Sequence, residues 1–373
     1  MQDQLVTLFL CGDVMTGRGI DQILPHPGEP ALYESHMRSA VGYVELAERE
    51  SGSIPRGVDF DYIWGDALAE LDRVRPDACI VNLETAITVS DDAWPGKGVH
   101  YRMHPANAPC LAAARLDCCV LANNHIMDWG RAGLVETLVT LEHLGIQTAG
   151  AGRDAAQAAE PAIIALPGGR RVLVFAFGMP SSGVPRAWRA TVDDPGVNLV
   201  EDLSERNVET IARQIADRRR DGELVVVSLH WGPNWGYDIS DVERDFAHGL
   251  IDVAGADLVH GHSSHHVKGI EVYRDKPILY GCGDFLTDYE GIGGYRAFRG
   301  DLALMYFPSF EAGGGKLSRF VMTPMRMRRF RAVRAQPDEV AWLHIVVNRE
   351  GRKFGTVVAR AADDTLLLYH PRP

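Results

Sequence analysis

The sequence predicts a layered α/β domain, sheets flanked by helices, ending in a β-rich C-terminal portion. Three observations predict it. Short β-branched runs alternate with longer helix-like stretches; the unusual polar residues gather at the ends of those runs; and the texture turns strand-rich after about residue 300.

The runs are Leu5 to Leu10, Ala78 to Asn82, Cys118 to Leu121, Val172 to Phe177, Leu224 to Leu229, Leu258 to His260 and Pro277 to Tyr280. Between them, Ala132 to Leu144 places Leu134, Leu138 and Leu141 on one helical stripe, and Leu203 to Arg219 reads the same way. After residue 300, Asp301 to Phe307, Phe320 to Arg331, Ala341 to Asn348 and Thr356 to Ala359 read as strands. The whole chain, 1–373, is expected to form one domain, with 300–373 a packed β-rich extension. Segments 25–59, with a helical stretch from Ser39 to Ser51, and 181–195 carry turn residues and little strand signal. They are candidate lid excursions near the site.

Composition narrows the function classes. A formal charge of −12 argues against a nucleic-acid partner, because phosphate binding draws on clustered Lys and Arg. One basic cluster, Arg326 to Arg334, alternates with Met325, Met327, Phe330 and Val333, as a strand with one solvated face would. The six cysteines are scattered in apolar runs rather than spaced as a disulfide or zinc framework. With no signal peptide and no apolar run of the ~18 residues that span a bilayer, the expectation is a cytoplasmic protein with no membrane partner.

Chemistry is concentrated where predicted strands end, the place where open α/β sheets build their sites. Strand ends supply Asp13; Asn82 and Glu84; Asn123, Asn124 and His125; His230; and His260, His262, His265 and His266. Singly, each has an ordinary reading: Gly-Asp and Asn-Asn as turns, a lone His as a hydrogen-bonded core residue. Five such ends in one chain make a shared metal centre the better reading. Carboxylate, amide and imidazole suit one or two divalent ions such as Mn, Fe, Co, Ni or Zn, and the lack of thiolate pairs argues against a structural zinc site.

Gly12-Asp13-Val14-Met15, Asn82-Leu83-Glu84, Asn123 to Gly130, His230-Trp231-Gly232, Gly261 to His265 and Lys276 to Phe285 resemble, in order and spacing, the capsule-synthesis CapA family. That family looks like a branch of the calcineurin-like metallophosphoesterases. The resemblance implies a metallophosphoesterase-like sandwich in which Asp13 and His265 hold one metal, Asn124, His230 and His262 the other, and Glu84 bridges them. His125 would be the acid/base residue. Two departures stand out: Met15 stands where the usual Asp-x-His start has its histidine, and the N-terminal anchor typical of capsule proteins is not expected from this sequence. Which of the adjacent His265 and His266 ligates is left open.

Cys282 and Asp284 sit in Gly281-Cys-Gly-Asp-Phe285, where flanking glycines allow close backbone approach; Cys282 reads equally as packing or as a reactive thiol. Cys11 reads as core. Trp231, Trp235 and Tyr237 read equally as core or as an aromatic wall at the mouth. Few cations flank the ligands in sequence, Arg18, Arg131 and Lys268 being nearest, which weighs against a phosphate ester. The resemblance extends to cofactor-free peptide epimerases that tailor lasso and other ribosomal peptides. It therefore implies a metal-dependent isomerase inverting an amino-acid α-carbon, with His125, Cys282 and Asp284 as catalytic residues. Its substrate would be a peptide or small molecule, or a leader-bearing precursor presented by a partner protein. The alternatives are a dinuclear hydrolase of phosphoester or γ-glutamyl and other amide bonds, or a capsule polymer synthesis protein.

Overall fold

The computed structural model describes residues 5–313 and 315–370. Its larger sheet is built around Val6–Val14, which runs parallel to Ala78–Leu83; Cys118–Val120 and Gln147–Ala149 continue the parallel series. On the other side of Val6–Val14 the pairing turns antiparallel, with Leu302–Phe310 and then Leu317–Met327. The second sheet is ordered Ile270–Tyr273, Lys276–Leu279, Leu258–His262, Leu224–His230, Arg171–Gly178, Ala162–Ala165, and its four middle strands are parallel.

Period-two alternation joins the sheets. Val172, Val174, Ala176, Leu224, Val226 and Leu258 belong to the apolar core that also holds Phe9, Leu10 and Ile80 of the larger sheet. Their neighbours Leu173, Phe175, Phe177, Val225, Val227 and Val259 pack instead with Val208, Ile211 and Ile215 of helix Glu205–Ala216 and Phe246 and Leu250 of helix Asp241–Asp252. The latter helix starts at a Ser240–Glu243 capping box. The parity that sends Leu224 and Val226 between the sheets also sends Ser228 and His230 there; that of Leu258 sends His260 and His262. His260 Nε2 lies 2.8 Å from the Cys11 carbonyl oxygen across the gap. Strand alternation thus carries the apolar residues into the core and delivers the imidazoles to the same face at the strands' C-terminal ends.

The C-terminal portion departs from the sequence reading at one element. Ala341 to Asn348, expected as a strand, lies within helix Pro337–Gly351. Proline in its first turn and the Gln336–Glu339 capping box start the helix, and Val340, Leu343 and Val347 form its buried face. The β-branched run that mimics a strand includes Ile345, which is 63% exposed. The basic cluster is likewise interrupted: Leu317–Met327 and Ala332–Arg334 pair antiparallel across a turn where Arg329 and Phe330 both have positive φ. Segment 25–59 contains helix Val41–Ser51. No helix among the described residues is long and apolar enough to cross a membrane.

Candidate metal centre

Asp13 is placed by backbone pairing on both sides. Its Cα is in register with Asn82 of one parallel neighbour and with Asp284 of the other, the short strand Asp284–Leu286. Its N–H donates to the Gly283 carbonyl at 2.9 Å. The crossing is possible only because residue 12 is glycine, since a Cβ there would stand 1.7 Å from the Gly283 oxygen. Gly283, with φ +77°, makes the turn that brings Asp284 alongside.

Two ligand groups share Asp13: one with His230 and His262, the other with His265 and Asp284, the ligand atoms of each group lying within 4.8 Å of one another. Glu84 Oε1 is 3.9 Å from Nε2 of both His230 and His125. Asn124 Oδ1 is 3.1 Å from His230 Nε2, and the Nδ1 atoms of His230 and His262 are 2.7 Å apart. Ser228 Oγ, 2.8 Å from His262 Nε2, fixes that ring from behind. His265 Nδ1 meets Asp284 Oδ1 at 2.8 Å, whereas both ring nitrogens of His266 are engaged by backbone, at Gly236 and Val267. His265 is therefore the member of the pair that faces the cluster. Asp284, expected as a catalytic residue, stands with Asp13 and His265 in a group whose atoms could hold an ion.

Electrostatics bear on whether these residues fit a cation. Asp13, Glu84 and Asp284 are all at most 1% exposed, and among the described residues no Lys or Arg pairs with any of them. Burial, then repulsion from Asp284, pushes the Asp13 carboxyl up to about 7; burial and Asp13 push Glu84 up as well. Burial drives His230 and His262 well below the usual imidazole range, so their lone pairs are free of protons at neutral pH. Asp284 Oδ2 is buried with no hydrogen-bond partner. Crowded carboxylates, neutral imidazoles and an orphaned oxygen form a donor set that divalent ions neutralise and satisfy.

Beside this cluster His125 Nδ1 bonds Asp128 Oδ2 at 2.6 Å, leaving Nε2 toward Glu84. Burial and the nearby Lys97 hold the His125 imidazole down at about 4. Asp128 also accepts from the Tyr101 N–H at 2.7 Å and pairs with Lys97 Nζ at 2.5 Å. Burial would raise the Asp128 carboxyl, but Lys97 and His125 outweigh it and keep it below its ordinary value. Lys97 also bonds the Asn124 carbonyl oxygen, on which no residue-level expectation bore. Asp128 lies three residues after His125, a spacing that does offer a sequence signal; Lys97 offers none.

Cys282 lies deeper than the other residues expected to act. Its thiol is fully buried in the apolar core, burial and the adjacent Asp13 push it far above its ordinary range, and its carbonyl accepts from Tyr306. Burial of this kind favours the neutral thiol. Cys11 is also buried. Trp231 is core, against Phe246 and Tyr280, while Trp235 and Tyr237 are half-buried and ring His265 and His266. Segment 181–195 abuts the centre: Ser182 Oγ donates to the His230 carbonyl at 2.7 Å, and the Cβ absent from Gly183 would lie 3.5 Å from Asn124 Nδ2. The three cations nearest in sequence are engaged. Arg18 is held by Asp288 and Glu34, Arg131 by Pro195 and Asp194, and Lys268 by the Asp238 carbonyl.

The chain is 48% identical over 363 residues to a probable polyglutamine synthesis accessory protein of Mycobacterium tuberculosis, covering 97% of this chain and 95% of that one. It is 25% identical over 324 residues to the PGA biosynthesis protein CapA of Bacillus subtilis, covering 87% of this chain and 72% of that one. Residues 7–289, the span that runs from the strand bearing Asp13 through Asp284, match the model of the bacterial capsule synthesis protein family PGA_cap, and the chain belongs to that family.

Proposed function

We propose that the chain is a metal-dependent hydrolase of amide bonds in a glutamate- or glutamine-based polymer, serving the synthesis of that polymer. The observation that carries this reading is the pair of ligand groups sharing Asp13, set beside a neutral His125 whose outer nitrogen faces them. Divalent ions in such a centre polarise a carbonyl oxygen and acidify water. His125 Nε2 accepts a proton from the water that attacks the carbonyl carbon, and returns it to the amide nitrogen as the C–N bond breaks. The products are a carboxylate and an amine. Asp128 accepts the Nδ1 hydrogen bond and holds the ring in the tautomer that this transfer needs. Asn82 Nδ2 bridges Asp13 at 2.7 Å and Glu84 at 3.1 Å, and Asn123 fixes Asn82 in turn, so the carboxylates are oriented before substrate arrives.

The names that the relatives carry, polyglutamine synthesis accessory protein and PGA biosynthesis protein, favour such a polymer over a ribosomal peptide. A two-base inversion of an α-carbon loses the partner it was expected to use, because Cys282 is enclosed in the core. Phosphoester cleavage is disfavoured by the engagement of Arg18, Arg131 and Lys268 with protein groups. The test incubates purified, metal-reconstituted protein with glutamine and glutamate oligomers in deuterium oxide, and follows new amine ends and mass. Chelator-sensitive release of amine ends is expected. Gain of deuterium at an α-carbon without cleavage would replace this reading with an isomerase, and phosphodiester cleavage alone would replace the substrate class.

A further inference from the structure

An aromatic surface adjoins the ligand group of His265 and has no role in holding it. The Trp235 ring stacks on Tyr295 with centroids 4.0 Å apart and planes 6° from parallel, and lies 5.4 Å from the His265 ring and 5.5 Å from Phe298. Tyr295 is nonetheless 53% exposed and its neighbour Ile292 is 47% exposed. Both stand on a glycine-rich stretch anchored at its two ends. Glu290 accepts from the Phe330 N–H at 2.7 Å and from Ser51 Oγ at 2.6 Å, while Phe298 packs on His266 at 4.6 Å and Tyr237 at 5.2 Å. Between the anchors, Gly293 and Gly294 have open space where a side chain would stand.

Resting on the amide-hydrolase reading above, we propose that Trp235 and Tyr295 form a substrate subsite beside His265, one that takes uncharged amide side groups and selects glutaminyl over glutamyl units. The exposed Tyr295 ring and the half-buried Trp235 ring stacked on it hold apolar surface beside the proposed reacting centre that a bound chain would cover. Flat amide groups and methylene stems fit such a surface; a carboxylate gains little from it. The indole N–H of Trp235 has no acceptor among the described residues, and as a donor-only group it can bind an amide oxygen. The cations near this cluster are already engaged: Arg349, over the Tyr237 ring at 4.6 Å, pairs with Glu350 at 2.6 Å, Lys268 donates to the Asp238 carbonyl, and Arg18 pairs with Glu34 and Asp288. A chain of charge −12 adds a field that opposes a polyanion and leaves an amidated polymer unaffected.

The test measures binding separately from turnover. Metal-reconstituted protein is titrated calorimetrically with a short γ-linked glutamic acid oligomer and with its counterpart carrying amides in place of the free carboxylates. The amidated oligomer should bind about tenfold more tightly. Trp235→Ala and Tyr295→Ala should each weaken it about three- to tenfold with metal content and melting temperature unchanged, and Trp235→Phe, which keeps a ring but lacks the indole N–H, should recover only part of the loss. Equal affinity for the two oligomers, or wild-type affinity in both alanine variants, would overturn the subsite. Binding that depends on Trp235 without any cleavage would uphold the subsite and sink the hydrolase reading. Cleavage with KM unchanged in both alanine variants would do the reverse.

Discussion

Removing the Asp13 charge should make the metal-free protein more stable, although it destroys the centre. The carboxyl rises from an ordinary 3.8 to about 7 in the folded chain, because burial and Asp284 oppose its ionisation. For an acid raised in this way, the unfolded chain gives up its proton first. Between pH ~4 and ~7 the folded state therefore binds more protons, and stability falls as pH rises through that window and levels off above it. At ~1.4 kcal/mol per pH unit the loss amounts to roughly 4 kcal/mol. Asp13→Asn avoids it but presents an amide hydrogen to groups that already donate, Asn82 Nδ2 at 2.7 Å and the Ser263 N–H at 3.3 Å. That mismatch costs about 1–2 kcal/mol, leaving a net gain of roughly 2–3 kcal/mol. The assay is urea unfolding in chelator at pH 5 and pH 7.5, for wild type and Asp13→Asn, with the variant's advantage expected at the higher pH and largely lost at the lower. A variant less stable than wild type at pH 7.5 would refute the reasoning. Adding a divalent ion should reverse the order, since saturation at ~1,000 times Kd stabilises only the protein that binds it, by about 4 kcal/mol.

His125→Ala should lower amide cleavage by about 10²- to 10⁴-fold with metal content unchanged, as measured by steady-state rates and elemental analysis. Cys282→Ala should leave turnover within about twofold and lower stability by roughly 1–2 kcal/mol in urea; a loss of turnover at full metal occupancy would restore the thiol to the mechanism. Ser240→Ala removes the cap of helix Asp241–Asp252 and should cost about 1 kcal/mol by denaturation, with no effect on KM. Gly12→Ala should abolish metal binding, read by calorimetry, because the new Cβ would meet the Gly283 carbonyl.

Much of the frame was legible because it is local. Strand runs such as Val172 to Phe177 and Leu224 to Leu229 carry their periodicity within a few residues, and the structure extends them only slightly, to Arg171–Gly178 and Leu224–His230. Helix Pro337–Gly351 reads as a strand because its consecutive β-branched run Ile345-Val346-Val347 imitates one, while the Gln336–Glu339 box that starts it is a weak local signal. At the centre, the residues at strand ends could be found one strand at a time. That Asp284 lies beside Asp13 could not be read locally, because it depends on a parallel pairing with a strand some 270 residues earlier, a register that no local pattern encodes. Lys97 escaped notice for the same reason: its partners Asp128 and Asn124 lie on another segment, and a lone lysine between two glycines reads as a solvated turn.

The crossing of Gly12 over Gly283 has a consequence for biogenesis. A ribosome delivers Asp13 some 270 residues before Asp284, yet the two become neighbours on paired strands. Until then the first segment carries a carboxylate with no complete set of donors around it. An ion held by both candidate groups would load only after Asp284 has emerged, and a truncation anywhere between Asp13 and Asp284 yields a product that lacks one of the two groups.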